Sequence, residues 1–241
     1  MNSLHMIEVQ MDLAALFRFL KIQGFGGNHE DEDLGYGVHA WLTAAFGEFS
    51  PRPWRLFFSR DRSPQILGYA HHDAGVLRQR LCEFADPSVM AVCGDPTGSI
   101  ASRTMPAWQP GRRLGFEVQC CPVGRKAGTG IEKDLFLIRA DRAGEQGLRR
   151  DAVYCDWVRE QLERNGAAHV DDIRLDGFRL VRQTRKIQAA PRTRHKLVRP
   201  QALLRGELTV VDPDAFAELL SRGVGRHRAF GYGMLLLRPP S

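Results

Sequence analysis

No C-x-x-C pair occurs in this sequence, and its five cysteines (Cys82, Cys93, Cys120, Cys121 and Cys155) are an odd number without metal-ligand spacing. A disulfide frame and a zinc site are therefore not expected; the thiols read as free, in a reducing cytoplasm. No apolar run approaches the roughly 18 residues of a membrane-spanning helix. The opening MNSLHMIEVQMDL has no basic stretch leading into a long apolar one, so neither a membrane nor a secretory signal is expected. No Gly-Lys-Ser/Thr closes a glycine loop, and no glycine fingerprint follows a strand and opens a helix, which argues against a nucleotide cofactor. A helix-turn-helix with a basic recognition helix is also missing, and with it the usual signature of a DNA-reading protein. Short repeats and low-complexity tracts are absent.

What is present is an ordinary soluble composition with a basic excess. The 241 residues carry a net charge of +6, with 43% hydrophobic and 26% charged residues. That length suits one large or two small domains. The pattern is α+β. HMIEVQM (5–11) reads as a first strand. YGVHAWLTAAFG (36–47) reads as a helix, because Val38, Trp41, Leu42, Ala45 and Phe46 recur at helical spacing. WRLFFS and QILGYA read as paired strands, AGVLRQRLCEFA (74–85) as a helix, and VMAVCG as a closing strand. The Gly-, Pro- and Ser-rich segment 94–111 reads as a linker.

Then the grammar restarts. RLGFEVQCCPV (113–123) is a strand, and RDAVYCDWVREQLERNG is a helix stopped by Gly166. IRLDGFRLVRQ and ALLRGELTVVD are strands, PDAFAELLSRG is a helix opened by Pro213, and GYGMLLLRP is the last strand. Each half spells β-α-β-β-α-β. The expectation is two tandem ferredoxin-like, RRM-like domains over residues 1–98 and 111–241.

Charge concentrates late in the chain. Residues 181–206 carry Arg182, Arg185, Lys186, Arg192, Arg194, Lys196, Arg199 and Arg205 with His195, and no acid at all. A run of this kind is either a solvated basic loop or a contact for phosphate backbones, which it would bind with release of counterions. Near the end comes SRGVGRHRAFGYG, where Gly223, Gly225, Gly231 and Gly233 bracket Arg226, His227 and Arg228. Glycines there let backbone N–H groups approach a phosphate, or simply permit a tight turn. Together the run and the loop suit a long polyanion.

The C-terminal stretch LLSRGVGRHRAFGYGMLLLRP resembles the glycine-loop signature of the RAMP superfamily of CRISPR-associated proteins. PGRRLGFEVQCCPVGRK (110–126) and TRKIQ…ALLRGELTVVDPDAFAELL are similar to stretches of its CasE branch, the endoribonucleases that cut precursor CRISPR RNA at its repeats. YGVHAWLTAAFG resembles the branch's first helix, with a Tyr-x-x-His pair that here is Tyr36 and His39. The likeness runs in order through most of residues 36–240. It implies two ferredoxin-like domains, recognition of a repeat hairpin, metal-independent cleavage without a cofactor, retention of the cut RNA, and membership of a Cascade-type complex. Two departures leave the subtype open between the CasE branch and a type IV relative: the long stretch between the first strand and Tyr36, and the unusually basic Arg-His-Arg loop.

The residues fit that chemistry. Metal-free RNA cleavage needs a proton acceptor for the 2′-OH, a donor for the departing oxygen, and cations at the phosphate. His39 titrates in the right range, and Tyr36 projects to the same side of the helix start, where free N–H groups favour a phosphate. His227 is the rival catalyst. Arg125 and Lys126 end a strand and are candidates for hairpin contact, with Arg182, Arg185, Lys186, Arg192, Arg194, Lys196, Arg199, Gly223, Gly225, Arg226, His227, Arg228 and Gly231. The competing reading is a non-catalytic RNA-binding subunit of a CRISPR effector complex, which would have no use for the Tyr-x-x-His.

Overall fold

Strand alternation and helical periodicity build the first core. In β1 (His5–Gln10), Ile7 and Val9 are fully buried, two residues apart, so one face of the strand is apolar. Onto that face pack α1 (Leu13–Ile22), through Leu16 and Phe19, and α2 (Leu34–Phe46), through Val38, Trp41, Leu42 and Phe46. Each such side chain contributes about 1.5–3 kcal/mol on burial. Asp12 caps α1 by accepting from the backbone N–H groups of Ala14 and Ala15, and the buried Trp41 indole donates to the Val89 carbonyl at 3.0 Å.

The computed structural model describes residues 3–24, 34–125, 131–143, 147–186 and 194–240, without the side chains of 142–143, 182–186 and 194–197. It divides into two units: Met1–Pro106 together with Ala229–Gly231, and Ala107–Arg228 together with Tyr232–Ser241. In the first, β2 (Trp54–Phe57), β3 (Gln65–Ala70) and β4 (Ile100–Thr104) join β1 in an antiparallel sheet of order β2-β3-β1-β4. α3 (Ala74–Phe84), α4 (Pro87–Cys93) and the single turn α5 (Pro96–Ser99) fill the β3–β4 crossover.

Two expectations fail here. The segment VMAVCG is not a strand but most of α4. Pro87 pre-sets its first turn, and Gly94, at φ +63°, closes it by donating to the Met90 carbonyl. Those stop and start signals outweigh the strand-like apolar run between them. The closing strand is instead β4, inside the stretch read as a linker. Only Ile100 of β4 is buried; the rest is a polar edge whose order comes from pairing with β1, so the sequence carries no alternation to reveal it.

The second unit repeats the topology. β5 (Arg113–Cys120), β8 (Ala168–Lys186), β9 (Arg194–Val210) and β10 (Leu235–Arg238) form an antiparallel sheet of order β10-β5-β9-β8. Renumbered from its own first strand, this is the first unit's order, the ferredoxin-like arrangement. α7 (Arg150–Leu162) and α8 (Pro213–Arg222) supply the helices. A short ribbon of β6 (Val123–Arg125) and β7 (Glu132–Asp134), with α6 (Leu135–Ala143), is inserted after β5 and was not anticipated. The basic run is not a loop around its whole length: its ends continue β8 and β9 as one long hairpin, paired through to Lys186 opposite Arg194.

Gly206 marks where this hairpin bends. It pairs with Ile173, just past the irregularity between Val170 and Asp172, and a Cβ there would lie 2.0 Å from the Asp172 carbonyl oxygen. Backbone cannot yield as a side-chain tip does. Gly206→Ala should therefore cost at least about 3 kcal/mol, the upper range for overpacking, read as a lowered urea midpoint; an unchanged midpoint would show that the bulge absorbs the methyl group.

Candidate functional site

Tyr36 and His39 occupy the first turns of α2, and both are half-buried. Their environment is completed by Phe230. The Phe230 ring stacks on Tyr36 (centroids 6.1 Å apart, planes 8° from parallel) and meets His39 edge-on at 4.9 Å. The segment carrying Phe230 is fixed by Trp54, whose Nε1 donates to the Ala229 carbonyl at 3.1 Å. Gly231 lies against the same indole. A Cβ at Gly231 would be 3.1 Å from the ring, and its φ of +86° disfavours any other residue. Burial first, then the positive charge of Arg52, hold the His39 imidazole below its ordinary 6.5. At neutral pH the ring is uncharged and able to accept a proton.

A second cluster forms in the other unit around Glu132 of β7. Arg199 gives it an Nη2 contact at 3.0 Å and donates from Nη1 to its main-chain carbonyl at 2.9 Å. Arg226 Nε reaches Oε1 at 2.8 Å, and His227 Nε2 lies 2.9 Å from Oε2. His227 holds a left-handed backbone, φ +62°, unusual for a side-chain-bearing residue. Desolvation lowers its pKa and outweighs the pull of Glu132. The ring is therefore neutral at pH 7, and only the tautomer with its proton on Nε2 makes this bond. Burial alone would raise the Glu132 carboxyl, but His227, Arg199 and Arg226 together hold it below its ordinary 4.5.

This geometry revises one expectation. Arg199, read as a phosphate contact, is buried, 7% exposed, and engaged by Glu132. A charge held that way binds a carboxylate within the fold and is not presented to an RNA. Arg226 shares the same carboxylate but keeps 42% of its side chain exposed. Arg228 donates to the Arg222 carbonyl. Gly223 ends α8 by donating to the Leu219 carbonyl at 2.7 Å, and Gly225 sits under Trp157 so closely that a Cβ would approach the ring to 2.6 Å. Each of these loop positions thus has a structural duty besides any contact with ligand. Arg125 is exposed and pairs in register with Glu132. Lys126 and Arg192 lie outside the described residues, as do the side chains of Arg182, Arg185, Lys186, Arg194 and Lys196, whose backbones belong to the hairpin.

Comparison with known proteins follows the same lines. Residues 4–239 match the family described as CRISPR associated protein. The chain belongs to that family. A relative from Thermus thermophilus, the CRISPR-associated endoribonuclease Cse3, is 32% identical over 142 residues. That alignment takes in 56% of this chain and spans only 59% of the relative. The structure of Thermus thermophilus Cse3 bound to an RNA representing a pre-cleavage complex superposes with a TM-score of 0.59 at 22% identity, covering 98% of this chain and all of the other. A chain of a CRISPR RNA-guided surveillance complex gives 0.52 at 17% identity, with 98% and 100% coverage. The fold of this family member is therefore the ferredoxin-like pair that the strand orders describe.

Three residues of these clusters escaped sequence reasoning. Phe230 had a signal, an aromatic between glycines in an otherwise basic loop. Arg52 had a fainter one, a cation between two prolines. Glu132 had none, since an acid in a short charged stretch such as Glu-Lys-Asp is ordinary. Its role is testable. Glu132→Gln keeps the shape but leaves Arg199 buried without a carboxylate, which should cost about 3–5 kcal/mol. Because the folded carboxyl is held below 4.5, its contribution is complete above that pH and fades as pH falls through the depressed value. Urea titrations should show a gap between wild type and variant that is constant near neutrality and narrows in acid; equal stability at pH 7 would remove Glu132 from the framework.

Proposed function

We propose that this protein is a metal-independent endoribonuclease that cuts precursor CRISPR RNA within its repeat hairpins. On this reading it keeps the product and delivers it, in the cytoplasm, to the other subunits of a Cascade-type complex. The observation that carries the reading is the pairing of Tyr36 and a neutral, partly desolvated His39 at the start of α2, enclosed by Phe230. The names of the relatives support it: one is an endoribonuclease, one was captured with RNA before cleavage, and one belongs to an RNA-guided surveillance complex.

The reaction follows from the residues. RNA supplies its own nucleophile, the ribose 2′-OH. His39 accepts the 2′ proton as the O2′–P bond forms and the P–O5′ bond breaks. The leaving O5′ takes a proton from water, and the products are a 2′,3′-cyclic phosphate and a 5′-hydroxyl. A low imidazole pKa keeps the accepting form populated at neutral pH. The phenol of Tyr36, three residues before His39 on the same helix, can donate to a phosphate oxygen. An A-form stem hides base edges in a deep major groove, so hairpin recognition rests largely on shape and charge, which suits the basic β8–β9 hairpin.

Two measurements test this. His39→Ala should slow single-turnover cleavage of a repeat hairpin at least about a hundredfold, within the usual range for loss of a general acid or base, while Kd changes only a few-fold; near-normal cleavage would move the chemistry to His227 or to the arginines. Cleavage should also persist in EDTA and stop when the nucleotide 5′ of the cut lacks its 2′-OH. Efficient cutting of that deoxy substrate would leave the non-catalytic RNA-binding subunit or another nuclease chemistry as the better account.

A further inference from the structure

His39 accounts for proton transfer but not for charge. As the 2′ oxygen attacks, negative charge grows on the non-bridging phosphate oxygens, and a water-poor site without a cation there pays a large penalty. Arg226 of the glycine loop and Arg199 of β9 already face Glu132.

We propose that Arg52 is a catalytic residue of this site, its guanidinium meeting the scissile phosphate beside His39. The assignment rests on the endoribonuclease reading above and adds a residue to it. Arg52 lies in the turn from α2 to β2. Its backbone N–H donates to the Tyr69 carbonyl at 2.8 Å, and the Tyr69 N–H donates to the Pro53 carbonyl at 3.0 Å, so the turn is stitched to β3. Two residues on, Trp54 is 1% exposed, binds the Ala229 carbonyl through its indole, and supports Gly231. Between those two loop residues stands Phe230, the ring that touches both Tyr36 and His39. The same short stretch therefore anchors Arg52 and the wall of the site.

The side chain of Arg52 is exposed, and among the described residues no carboxylate or carbonyl engages its guanidinium. Two other arginines of this unit are committed. Arg78 donates to the Ile100 carbonyl, and Arg80 donates to the Phe46 carbonyl while lying over Phe49 and Phe84. Arg52 thus combines a fixed main chain with an uncommitted planar fork, the form in which arginine binds phosphate with two parallel N–H bonds. The lowering of the His39 pKa, caused first by burial and then by the charge of Arg52, agrees with this placement. Arg52 exchanges no proton in the step; it offsets the charge that the attack creates.

The experiment uses the full chain and a CRISPR repeat hairpin that the wild-type protein cleaves, with Arg52→Ala, Arg52→Lys and His39→Ala compared. Single-turnover rates are measured with cleavable RNA and Kd with the 2′-deoxy hairpin. Arg52→Ala should melt like wild type, lose about a hundredfold in rate, the lower range for removing one transition-state donor, and keep Kd within about threefold, as expected of an interaction realised in the transition state. Arg52→Lys, a point charge without the fork, should fall between. NMR titration of the His39 ring should give a higher pKa in Arg52→Ala, since a repelling charge is gone; a merely structural turn residue would not move it in that direction. Wild-type cleavage by Arg52→Ala beside a dead His39→Ala overturns this inference alone. A loss confined to Kd overturns it too, making Arg52 a binding contact. Normal cleavage by both variants overturns the endoribonuclease site itself.

Discussion

A single hydrogen bond, from the Trp54 indole to the Ala229 carbonyl, spans 175 residues of sequence and holds the candidate site together. It ties down the residue before Phe230, the ring that half-encloses Tyr36 and His39. The bond is partly buried, so neither partner has full access to water as a substitute, and leaving either one unmet costs more than the bond itself is worth. Gly231 follows from the same constraint: a side chain there would collide with the indole that the neighbouring carbonyl must approach. The glycine of the signature loop is thus explained at this position by packing, before any ligand is considered.

Charge is arranged differently in the two clusters, and the difference bears on what each can do. In the first, an imidazole packs against an aromatic ring, and its pKa is lowered by burial and by the charge of an exposed arginine. In the second, one carboxylate gathers two arginines and a histidine from β9 and from the glycine loop. The basic loop that stands out in the sequence is thereby partly neutralised in the fold. Within the hairpin run, which contains no acid of its own, Arg199 is likewise held by Glu132 and Arg205 by Glu117 and Asp176, so the charge left for a polyanion must come from the rest of that run.

Much of this was legible in the sequence because it is local. The stripe Val38, Trp41, Leu42, Ala45 and Phe46 fixed α2 and is buried throughout, and that helix carries Tyr36 and His39 at its start. The repeated β-α-β-β-α-β grammar led to the right fold although one strand was misassigned. β4 was missed because an exposed edge strand has no inward residues beyond Ile100, while α4 was misread because the unbroken apolar run from Val89 to Cys93 suits a buried strand as well as a helix. What stayed hidden is non-local. Glu132 against Arg199, Phe230 against His39, and Trp54 against Ala229 are each set by topology, and no spacing along the chain encodes them.

The pairing of a lowered histidine pKa with a nearby cation carries its own logic. A weaker base removes a proton less readily, so depressing His39 has a cost in driving force. The same depression raises the fraction of the ring that is ready to act at neutral pH. A positive charge placed to favour the crowded, more negative phosphate of the transition state must also repel an imidazolium beside it, since both effects come from one field. An arginine near His39 therefore links the two requirements: it disfavours the protonated ring before RNA arrives and is counterbalanced once a phosphate enters. Bound phosphate should then raise the His39 pKa again, just as proton transfer begins, strengthening the base at the moment when its strength is needed.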